Sequence, residues 1–362
     1  MRSNHKKLIF FIVMIINVII IVELLGRGFY FVKFTKKEDQ VLRALMGLSG
    51  HYDAGLVSKY KPHHYMVYCL NPESPKYYRE YYGEEQPQNI NRYGFRGYDF
   101  DKEKKSGVFR IICIGASTTF GSSEHNEEKT YPRMLEKALN ARYESPEFQV
   151  INAGVHGWTS AESLINFQFR LLEFSPDMII VYHGMNDVYP LLCADEGASD
   201  FSNYRKQLEY HKPGLLTRIG LRISYVLRLL YYVNHGLSSN IVPMTTQAVP
   251  KVDIEEVANA ATGRHFRRNI ESLVILSQTH GVLPVLVTPG HWHWNDLLVK
   301  LNQITRNIAR AHNVLLVDFE PLSQPRYFLA DRVHLTREGN VACVAAIMDV
   351  IATLQDEQDW KQ

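Results

Sequence analysis

The strongest indication of fold lies in residues 108–121, which read VFRIICIGASTTFG. Its first seven residues are apolar apart from Arg110, whereas its second half consists of small and hydroxyl-bearing residues with one phenylalanine. A short apolar run that ends in a glycine-containing turn is typical of a buried strand in a parallel sheet. The segment therefore predicts a strand over Val108–Ile114 and a turn that carries Ser117.

The same alternation of short apolar runs and longer amphipathic stretches continues along the chain. β-Branched runs predict four more strands, at Phe148–Ala153, Met178–Tyr182, Leu283–Val287 and Val314–Asp318. Helical periodicity predicts helices at Tyr131–Tyr143, Ala161–Phe174, Arg264–Thr279, Asp296–Ala311 and Gly339–Leu354. Strands that alternate with helices indicate an α/β domain with a parallel sheet and helices on both faces.

Composition narrows the class of protein. A chain of 362 residues with 46% hydrophobic and 22% charged residues is an ordinary globular chain, long enough for one large domain with attachments. The net charge is only +2, from 40 Lys and Arg against 38 Asp and Glu. Binding to a phosphate backbone requires a basic excess that this chain lacks, so we expect no nucleic-acid partner.

The N-terminus predicts a membrane anchor. Leu8–Leu25 reads LIFFIVMIINVIIIVELL, with Asn17 and Glu23 as its only polar residues. At 1.5 Å per residue, this run is just long enough to cross a hydrocarbon core of about 30 Å. A cleaved signal peptide would end in small residues of the A-x-A type, which are absent from residues 23–27. We therefore expect an uncleaved transmembrane helix through which the protein contacts the membrane.

The predicted organisation has three parts. Residues 1–33 form the anchor, residues 34–105 form a tyrosine-rich adaptor that packs on the main domain, and residues 106–362 form that domain. Leu215–Tyr232 is amphipathic, with three arginines on one side, and the sequence leaves open whether it lies on an anionic membrane surface or packs as an ordinary helix. A disulfide between Cys69 and Cys193 is also left open.

Residues with catalytic chemistry follow the predicted strands, where ligands bind in a doubly wound sheet. Ser117 follows the first strand, Gly154 the second, and Asn186 the third. Near the C-terminus, Asp331 and His334 stand three residues apart, a spacing at which two side chains can meet. Acyl transfer needs a hydroxyl nucleophile, a base, an acid that orients the base, and donors for the oxyanion. These segments supply all four.

Each segment alone has a simpler explanation. Ser117 is at a position suited to capping a helix or cradling a phosphate, and Gly154 to a plain turn. However, no Lys-Ser or Lys-Thr follows residues 115–121, so the segment is not a Walker A loop. It is not a G-x-S-x-G elbow either, because Thr119 replaces the second glycine. The coincidence of all the segments at strand ends favours a serine esterase.

Together the segments resemble the sequence blocks of the SGNH, or GDSL, hydrolase family over about residues 108–354. The resemblance implies a flavodoxin-like three-layer α/β/α sandwich with a five-stranded parallel sheet, here preceded by the transmembrane helix. Ser117 is similar to the family's nucleophile, and Asp331 and His334 fit its Asp-x-x-His block. Gly154 and Asn186 are similar to the residues that, with the backbone N–H of Ser117, form the family's oxyanion hole.

Two further features qualify the resemblance. Ala116 stands where the family's acronym has aspartate, but this position is not a catalytic group, so we expect activity to be retained. Residues 91–97, NRYGFRG, resemble a stretch that precedes the domain in bacterial membrane-linked members.

The resemblance implies hydrolysis of an acetyl or other short acyl ester on a small molecule or a cell-surface carbohydrate. An O-acyltransferase with the same triad and a non-catalytic envelope-assembly protein remain open. Basic residues flank the anchor on both sides, so charge does not orient it. Similar anchored hydrolases act on envelope polymers, which favours an extracytoplasmic catalytic domain in the periplasm or at the cell surface.

A second candidate site follows the fourth predicted strand. His291, Trp292, His293 and Trp294 combine the H-x-H spacing of zinc ligands with two aromatic side chains. A metal normally needs three or four ligands, and the sequence places no third one here. We therefore expect these residues to line the substrate pocket or pack in the core, and we expect no metal or other cofactor.

Overall fold

The computed structural model describes residues 2–46, 48, 58–76, 79, 85, 88–193, 200–205, 213–235, 253–290 and 296–354. The chain forms two compact units. The first comprises residues 1–61, 73–85 and 208–244, and the second comprises residues 62–72, 86–207 and 245–362. The predicted adaptor, residues 34–105, is thus divided between the two units.

The elements below are numbered in chain order along the described residues. The strands are β1 (Tyr60–His63), β2 (Val67–Leu70), β3 (Val108–Gly115), β4 (Glu147–Asn152), β5 (Met178–Tyr182), β6 (Leu283–Val287) and β7 (Leu315–Val317). The helices are α1 (Arg2–Lys33), α2 (Lys36–Leu45), α3 (Ser117–Phe120), α4 (Tyr131–Arg142), α5 (Ser160–Phe169), α6 (Val188–Leu192), α7 (Leu215–Ile223), α8 (Tyr225–Asn234), α9 (Ile254–Ala260), α10 (Arg264–Thr279), α11 (Asp296–Ala311) and α12 (Arg337–Ile351).

The second unit is built on a five-stranded parallel sheet, as predicted. Its strand order is β4-β3-β5-β6-β7, and every neighbouring pair is parallel. Numbered along the chain, this is the 2-1-3-4-5 order of the flavodoxin-like sandwich. The chain therefore crosses over between β4 and β5, and the carboxyl ends of β3 and β5 lie side by side at the middle of the sheet edge.

Helices cover both faces of this sheet and complete the predicted three layers. Along β3, the side chains of Ile111 and Cys113 point to one face, where α4 and α12 pack. Ile112 and Ile114 point to the other face, against α5, α10 and α11. Since both faces are covered, the strand reads as a continuous apolar run without alternation, which is why the sequence marks it so clearly.

Most predicted boundaries are confirmed to within a few residues, but two predicted helices are interrupted. The helical stretch Leu215–Tyr232 is divided at Ser224 into α7 and α8. The helix predicted over Ala161–Phe174 ends at Phe169 and continues as a separate 3₁₀ turn, Leu171–Phe174. The interruption falls at Arg170, whose φ and ψ of −130° and −47° leave the helical region. The Arg170 guanidinium donates to the carbonyl O of Tyr93 at 2.9 Å, so a tertiary contact accompanies the break.

The first unit contains α1, α2, α7 and α8. Helix α1 is long and apolar enough to cross a membrane. Its C-terminal part contacts α2 and α8 through a cluster of buried and half-buried apolar residues. Arg228, which the sequence places on a basic side of its helix, is buried: its Nε donates to the Leu221 carbonyl O at 2.6 Å and its guanidinium lies 4.2 Å from the Tyr225 ring centre.

The cysteines lie in the second unit. Cys113 and Cys343 are buried on the face that α4 and α12 cover, as their apolar surroundings in the sequence indicate, and burial raises the pKa of Cys343 to about 12. Cys69 and Cys193 are both thiols, so the disulfide that the sequence left open is not formed.

Candidate active site

Ser117 lies directly beyond the carboxyl end of β3, at the start of the one-turn helix α3. The turn closes at Gly121, which adopts the left-handed conformation with φ 78° and ψ 56°. The Gly121 N–H donates to the Ser117 carbonyl O at 2.9 Å, and the Ser122 N–H donates to the same oxygen at 3.0 Å. The backbone around Ser117 is therefore fixed by its own hydrogen bonds, which leaves the side chain half-buried at the sheet edge.

Two glycines allow neighbouring backbone to approach this turn. A Cβ on Gly115 would lie 2.1 Å from Thr119 Oγ1 and 2.8 Å from the Tyr182 carbonyl O. A Cβ on Gly154 would lie 2.3 Å from the Phe120 backbone N. Because real Cβ atoms do not approach other atoms this closely, a larger residue at either position would displace the turn that carries Ser117. Gly154 therefore has a packing role in addition to its predicted role as an oxyanion donor.

The two predicted oxyanion donors from outside the turn already make hydrogen bonds. The Gly154 N–H donates to Asn152 Oδ1 at 3.1 Å, within the loop that follows β4. The Asn186 side-chain amide donates to the Trp158 carbonyl O at 2.9 Å, which uses one of its two N–H groups. The bond to Trp158 fixes the plane of the Asn186 amide, so the direction of its second N–H is set by the same contact.

Asp331 and His334 meet as predicted, although on a loop and not on a helical turn. His334 Nδ1 lies 2.7 Å from Asp331 Oδ2, and Asp331 Oδ1 accepts the backbone N–H groups of Val333 and His334 at 2.9 and 3.0 Å. Partial burial alone would raise the pKa of Asp331, but hydrogen bonds from His334 and the loop backbone lower it below its ordinary value. The loop passes through Arg332, which has a positive φ of 64°.

The structure places Ser117 and Asn186 in one small cleft of the second unit, which Val333 of the Asp331–His334 loop also lines. Its volume is about 20 Å³, roughly the room that one water molecule occupies. The residues that line it are Ala116, Ser117, Thr118, Tyr182, His183, Gly184, Met185, Asn186, Pro289 and Val333. Val333 precedes His334, whose Nε2 is shielded from solvent and has no hydrogen-bond partner among the described residues. Among the described residues, His334 Nε2 therefore makes no hydrogen bond to Ser117.

Arg96 supports the nucleophile turn, a role that the sequence does not reveal. Its buried guanidinium donates to the carbonyl oxygens of Phe120, Gly121 and Glu124 at 2.5–2.7 Å and pairs with Glu127 Oε2 at 2.7 Å. These carbonyls follow the turn that begins at Ser117, so one side chain satisfies the acceptors at its end. The one sequence feature that draws attention to Arg96 is the resemblance of residues 91–97 to a stretch in membrane-linked family members.

A second histidine–aspartate pair adjoins the cleft, which His183 helps to line, and no sequence signal indicates it. His183 Nδ1 lies 3.7 Å from Asp187 Oδ2, and both side chains are at most 1% exposed. Asp187 Oδ1 accepts the backbone N–H and the hydroxyl of Ser160 at 2.9 and 2.5 Å, and His183 Nε2 lies 2.7 Å from Ser163 Oγ. Burial raises the pKa of Asp187 to about 7 and lowers that of His183 to about 3.

The predicted pocket residues His291, Trp292, His293 and Trp294 lie outside the described residues, so both interpretations of them stay predictions. Within the described ranges, no group of three or more His, Cys, Asp or Glu side chains is arranged to hold a metal ion.

Comparison with known proteins identifies the domain that contains these residues. A family model described as the GDSL-like lipase/acylhydrolase family matches residues 113–342, which is more than half of the chain. The match includes Ser117, Gly154, Asn186, Asp331 and His334. No curated protein matches the sequence.

Several solved structures are similar in fold. An alpha/beta hydrolase enzyme from the metagenome of Lake Arreo is 15% identical, with a TM-score of 0.43, and the alignment covers 70% of this chain and 99% of that one. A lipase/acylhydrolase from Enterococcus faecalis is 16% identical, with a TM-score of 0.43 and coverages of 68% and 96%. An acetylxylan esterase from Geobacillus stearothermophilus is 17% identical, with a TM-score of 0.41 and coverages of 67% and 94%.

Proposed function

Because the chain belongs to the GDSL-like lipase/acylhydrolase family, we propose that it is a serine esterase in which Ser117, His334 and Asp331 form the catalytic triad. One observation carries the proposal. His334 Nδ1 is held by Asp331 Oδ2 at 2.7 Å, while its Nε2 has no partner among the described residues and belongs to a loop that lines the cleft at Ser117. This is the arrangement that a general base requires.

The triad would act in two steps. His334 Nε2 accepts the hydroxyl proton as Ser117 Oγ attacks the ester carbonyl carbon, and the imidazolium then returns the proton to the leaving alcohol. Water hydrolyses the acyl-enzyme by the reverse proton transfers. Asp331, whose lowered pKa keeps it ionised, holds the imidazole in the tautomer with a proton on Nδ1 and stabilises the imidazolium.

Stabilisation of the oxyanion would come from backbone and amide donors. The proposed donors are the N–H groups of Ser117 and Gly154 and the Asn186 side-chain amide. Asn186 has a second N–H besides the one that contacts Trp158. The Gly154 N–H must be shared with Asn152 Oδ1 or exchange that contact for the oxyanion. We therefore assign Asn186 the larger share of the stabilisation.

The proposed substrate carries a short acyl group such as acetyl, on a small molecule or a cell-surface carbohydrate. The cleft beside Ser117 has a volume of only about 20 Å³. A long acyl chain would need a groove several times larger than the room of one water molecule. Small volume thus favours acetyl over fatty acyl esters.

An ester panel of graded acyl length tests the activity. The purified protein should hydrolyse acetyl esters fastest, Ser117→Ala should abolish the activity, and Ser122→Ala is the matched control because Ser122 lies on the same turn but only donates to the Ser117 carbonyl O. Prolonged chelation should leave the rate unchanged. Wild-type hydrolysis by Ser117→Ala would contradict the triad, and loss on chelation with recovery in zinc would point to His291 and His293. Transfer of the acyl group to an added sugar would identify an acyltransferase.

We also propose that α1 spans the membrane and that the second unit lies outside the cytoplasm. Among the described residues, α1 is the one helix that is long and apolar enough to span. Lys6 and Lys7 abut its apolar run, whereas the basic residues after it, apart from Arg27, lie farther from that run, which favours a cytoplasmic N-terminal side. Protease added to intact spheroplasts should digest the second unit. Full protection until the membrane is broken would place that unit in the cytoplasm.

A further inference from the structure

Helices α7 and α8 carry an apolar surface that the first unit does not cover with its described residues. On α7, the exposed fractions are 67% for Leu215, 84% for Leu216, 46% for Ile219 and 74% for Ile223. On α8, they are 46% for Leu227, 61% for Leu230 and 71% for Val233. The opposite sides of both helices are buried through Leu221 and Tyr231. Each helix is therefore apolar on the side that faces the unit and on the side that faces away.

Between the two helices lies an open, mostly apolar groove. It has a volume of about 500 Å³ and is lined mainly by Leu216, Leu221, Leu227, Leu230 and Tyr231. A groove and an adjoining apolar strip of this kind are unusual on a surface that faces water. Both lie on the first unit, which also contains the candidate membrane span α1, so lipid is a suitable environment for them.

The junction between α7 and α8 is tied to α1 at Glu23. Ser224 Oγ donates to Glu23 Oε2 at 2.6 Å, and the Tyr225 N–H, at the start of α8, donates to Glu23 Oε1 at 2.5 Å. One turn further along α1, a Cβ on Gly26 would lie 2.4 Å from Val226 Cγ2, so the two backbones pack closely. These contacts fix the height of the α7–α8 junction along α1.

That height lies within the hydrocarbon region if α1 spans the membrane. The apolar run begins at Leu8, after Lys6 and Lys7, and the next basic residue is Arg27. A core of about 30 Å takes about 20 helical residues, which reach from Leu8 to Arg27. Glu23 is four residues before Arg27 and therefore lies about 6 Å inside this boundary. The α7–α8 junction must lie at the same depth.

The aromatic and basic side chains around the junction fit that boundary. The Arg27 guanidinium lies 5.1 Å from the Tyr225 ring centre, and Lys33 Nζ lies 4.9 Å from the Tyr232 ring centre. Tyrosine is enriched where acyl chains meet headgroups, and basic side chains beside it extend toward the phosphates. On α7, Arg218 and Arg222 lie beside the apolar strip, where their charged ends can extend toward the phosphates.

We propose that α7 and α8 form a hairpin whose junction is embedded in the leaflet in which α1 ends, with the exposed apolar side chains beside the junction in contact with lipid acyl chains. The proposal rests on the membrane span proposed for α1. It is supported by the apolar surface of the hairpin, which adjoins the apolar helix α1 at the depth of Glu23. Tyr225 packs near Arg27 whereas Tyr232 packs near Lys33, so α8 runs along α1 away from the membrane centre. The chain would then be held by one spanning helix and by a helix hairpin that enters the leaflet with its junction first.

Depth-dependent fluorescence quenching tests this in the full chain, reconstituted at low protein content in vesicles of phosphatidylcholine with a minor fraction of phosphatidylglycerol. An environment-sensitive fluorophore is attached to cysteines introduced beside the junction, at Ile223→Cys and Leu227→Cys. Cys193→Ser is the common background, because the other natural cysteines, Cys69, Cys113 and Cys343, are buried. Ile16→Cys serves as the control inside the span, and Lys36→Cys as the exposed control beyond the end of α1. Each labelled chain must keep the melting curve of the unlabelled chain.

The expected result is strong quenching of the probes at 223 and 227 by lipids spin-labelled near the headgroup. The probe at 16 should instead be quenched most by lipids labelled near the chain end, and the probe at 36 by neither. If the hairpin probes behave like the probe at 36 while the probe at 16 is quenched, the hairpin lies in water and the proposal is wrong, although α1 spans.

Two other outcomes overturn the proposal for different reasons. If the probe at 16 is also unquenched, α1 itself does not span, and the proposed anchor fails together with the hairpin. If the hairpin probes are shielded from water yet unquenched by either lipid, and their emission changes with the protein-to-lipid ratio, a second copy of the chain covers the surface in place of lipid.

Discussion

Aspartate and histidine form a pair at two places in the second unit, and the two pairs differ in almost every physical respect. His334 and Asp331 are 2.7 Å apart, with side chains that are 27% and 46% exposed. His183 and Asp187 are 3.7 Å apart, with side chains that are 1% and 0% exposed. Burial raises the pKa of Asp187 to about 7, whereas hydrogen bonds outweigh partial burial and lower the pKa of Asp331.

The two pairs differ in how well their surroundings suit a general base. A base that becomes positively charged needs a partner that stays ionised and an unbonded nitrogen that can reach the nucleophile. In the loop pair, backbone N–H groups and the imidazole stabilise the Asp331 carboxylate, and His334 Nε2 has no hydrogen-bond partner among the described residues. The buried pair provides neither: desolvation favours the neutral form of both groups, and His183 Nε2 is engaged with Ser163 Oγ.

The largest expected effect separates the two histidines. His334→Ala should lower kcat for ester hydrolysis by about 10³ or more while the melting temperature stays almost unchanged, because the side chain is partly exposed. His183→Ala should do the opposite, since it leaves a cavity and removes the contact with Ser163, at a cost of about 2–4 kcal/mol in the free energy of unfolding. Initial rates per folded molecule measure the loss of kcat, and melting curves measure the loss of stability. A loss of kcat that is equally large in both variants would mean that the buried pair takes part in the chemistry.

The next effect concerns Asn186, which stands beside Asp187 in the chain but has its side chain in the cleft. Asn186→Ala should lower kcat by about 10²–10³ with little change in KM, because an oxyanion donor acts in the transition state. Asn203→Ala is a matched control, since that amide donates only to the Pro190 and Cys193 carbonyl oxygens at 3.4 Å. If both variants retain the wild-type kcat, Asn186 is not an oxyanion donor.

A smaller loss is expected at Asp331. Asp331→Ala should cost less in kcat than the roughly 10³ expected for His334→Ala, because Asp331 orients and stabilises the imidazole but does not transfer the proton. The variant should keep the melting temperature of the wild type. A rate equal to that of the wild type would show that the 2.7 Å contact with His334 has no part in catalysis.

The sequence reveals the groups that lie at strand ends, but it does not reveal the groups whose roles depend on tertiary packing. Asp331 and His334 were visible because three residues of spacing are enough for them to meet on a local turn. The strands were visible because both faces of the sheet are apolar. Arg96 and Asp187, in contrast, owe their roles to burial and to partners far along the chain, such as Glu127 for Arg96, which no spacing rule predicts.

The smallest effect is one of stability, and it tests the electrostatics of the buried pair. The folded-state pKa of Asp187 is about 7, against an ordinary value of 3.8, so between about pH 4 and pH 7 the folded chain binds a proton that the unfolded chain has lost. The contribution of Asp187 to the free energy of unfolding must therefore fall as the pH rises through this window. Asp187→Asn removes this titration but keeps an oxygen that can accept the Ser160 N–H.

The melting temperature of Asp187→Asn minus that of the wild type should accordingly rise between about pH 4 and pH 7 and be flat on either side. The lowered pKa of His183 changes the stability in the opposite direction, because its contribution is lost as the pH falls from 6.5 toward about 3. His183 is present in both chains, so this contribution largely cancels in the difference. Melting curves over this pH range measure the difference. A difference that does not change with pH would mean that Asp187 is ionised in the folded chain. The buried pair would then contain an ionised aspartate like the loop pair, and burial would no longer account for the difference between the two pairs.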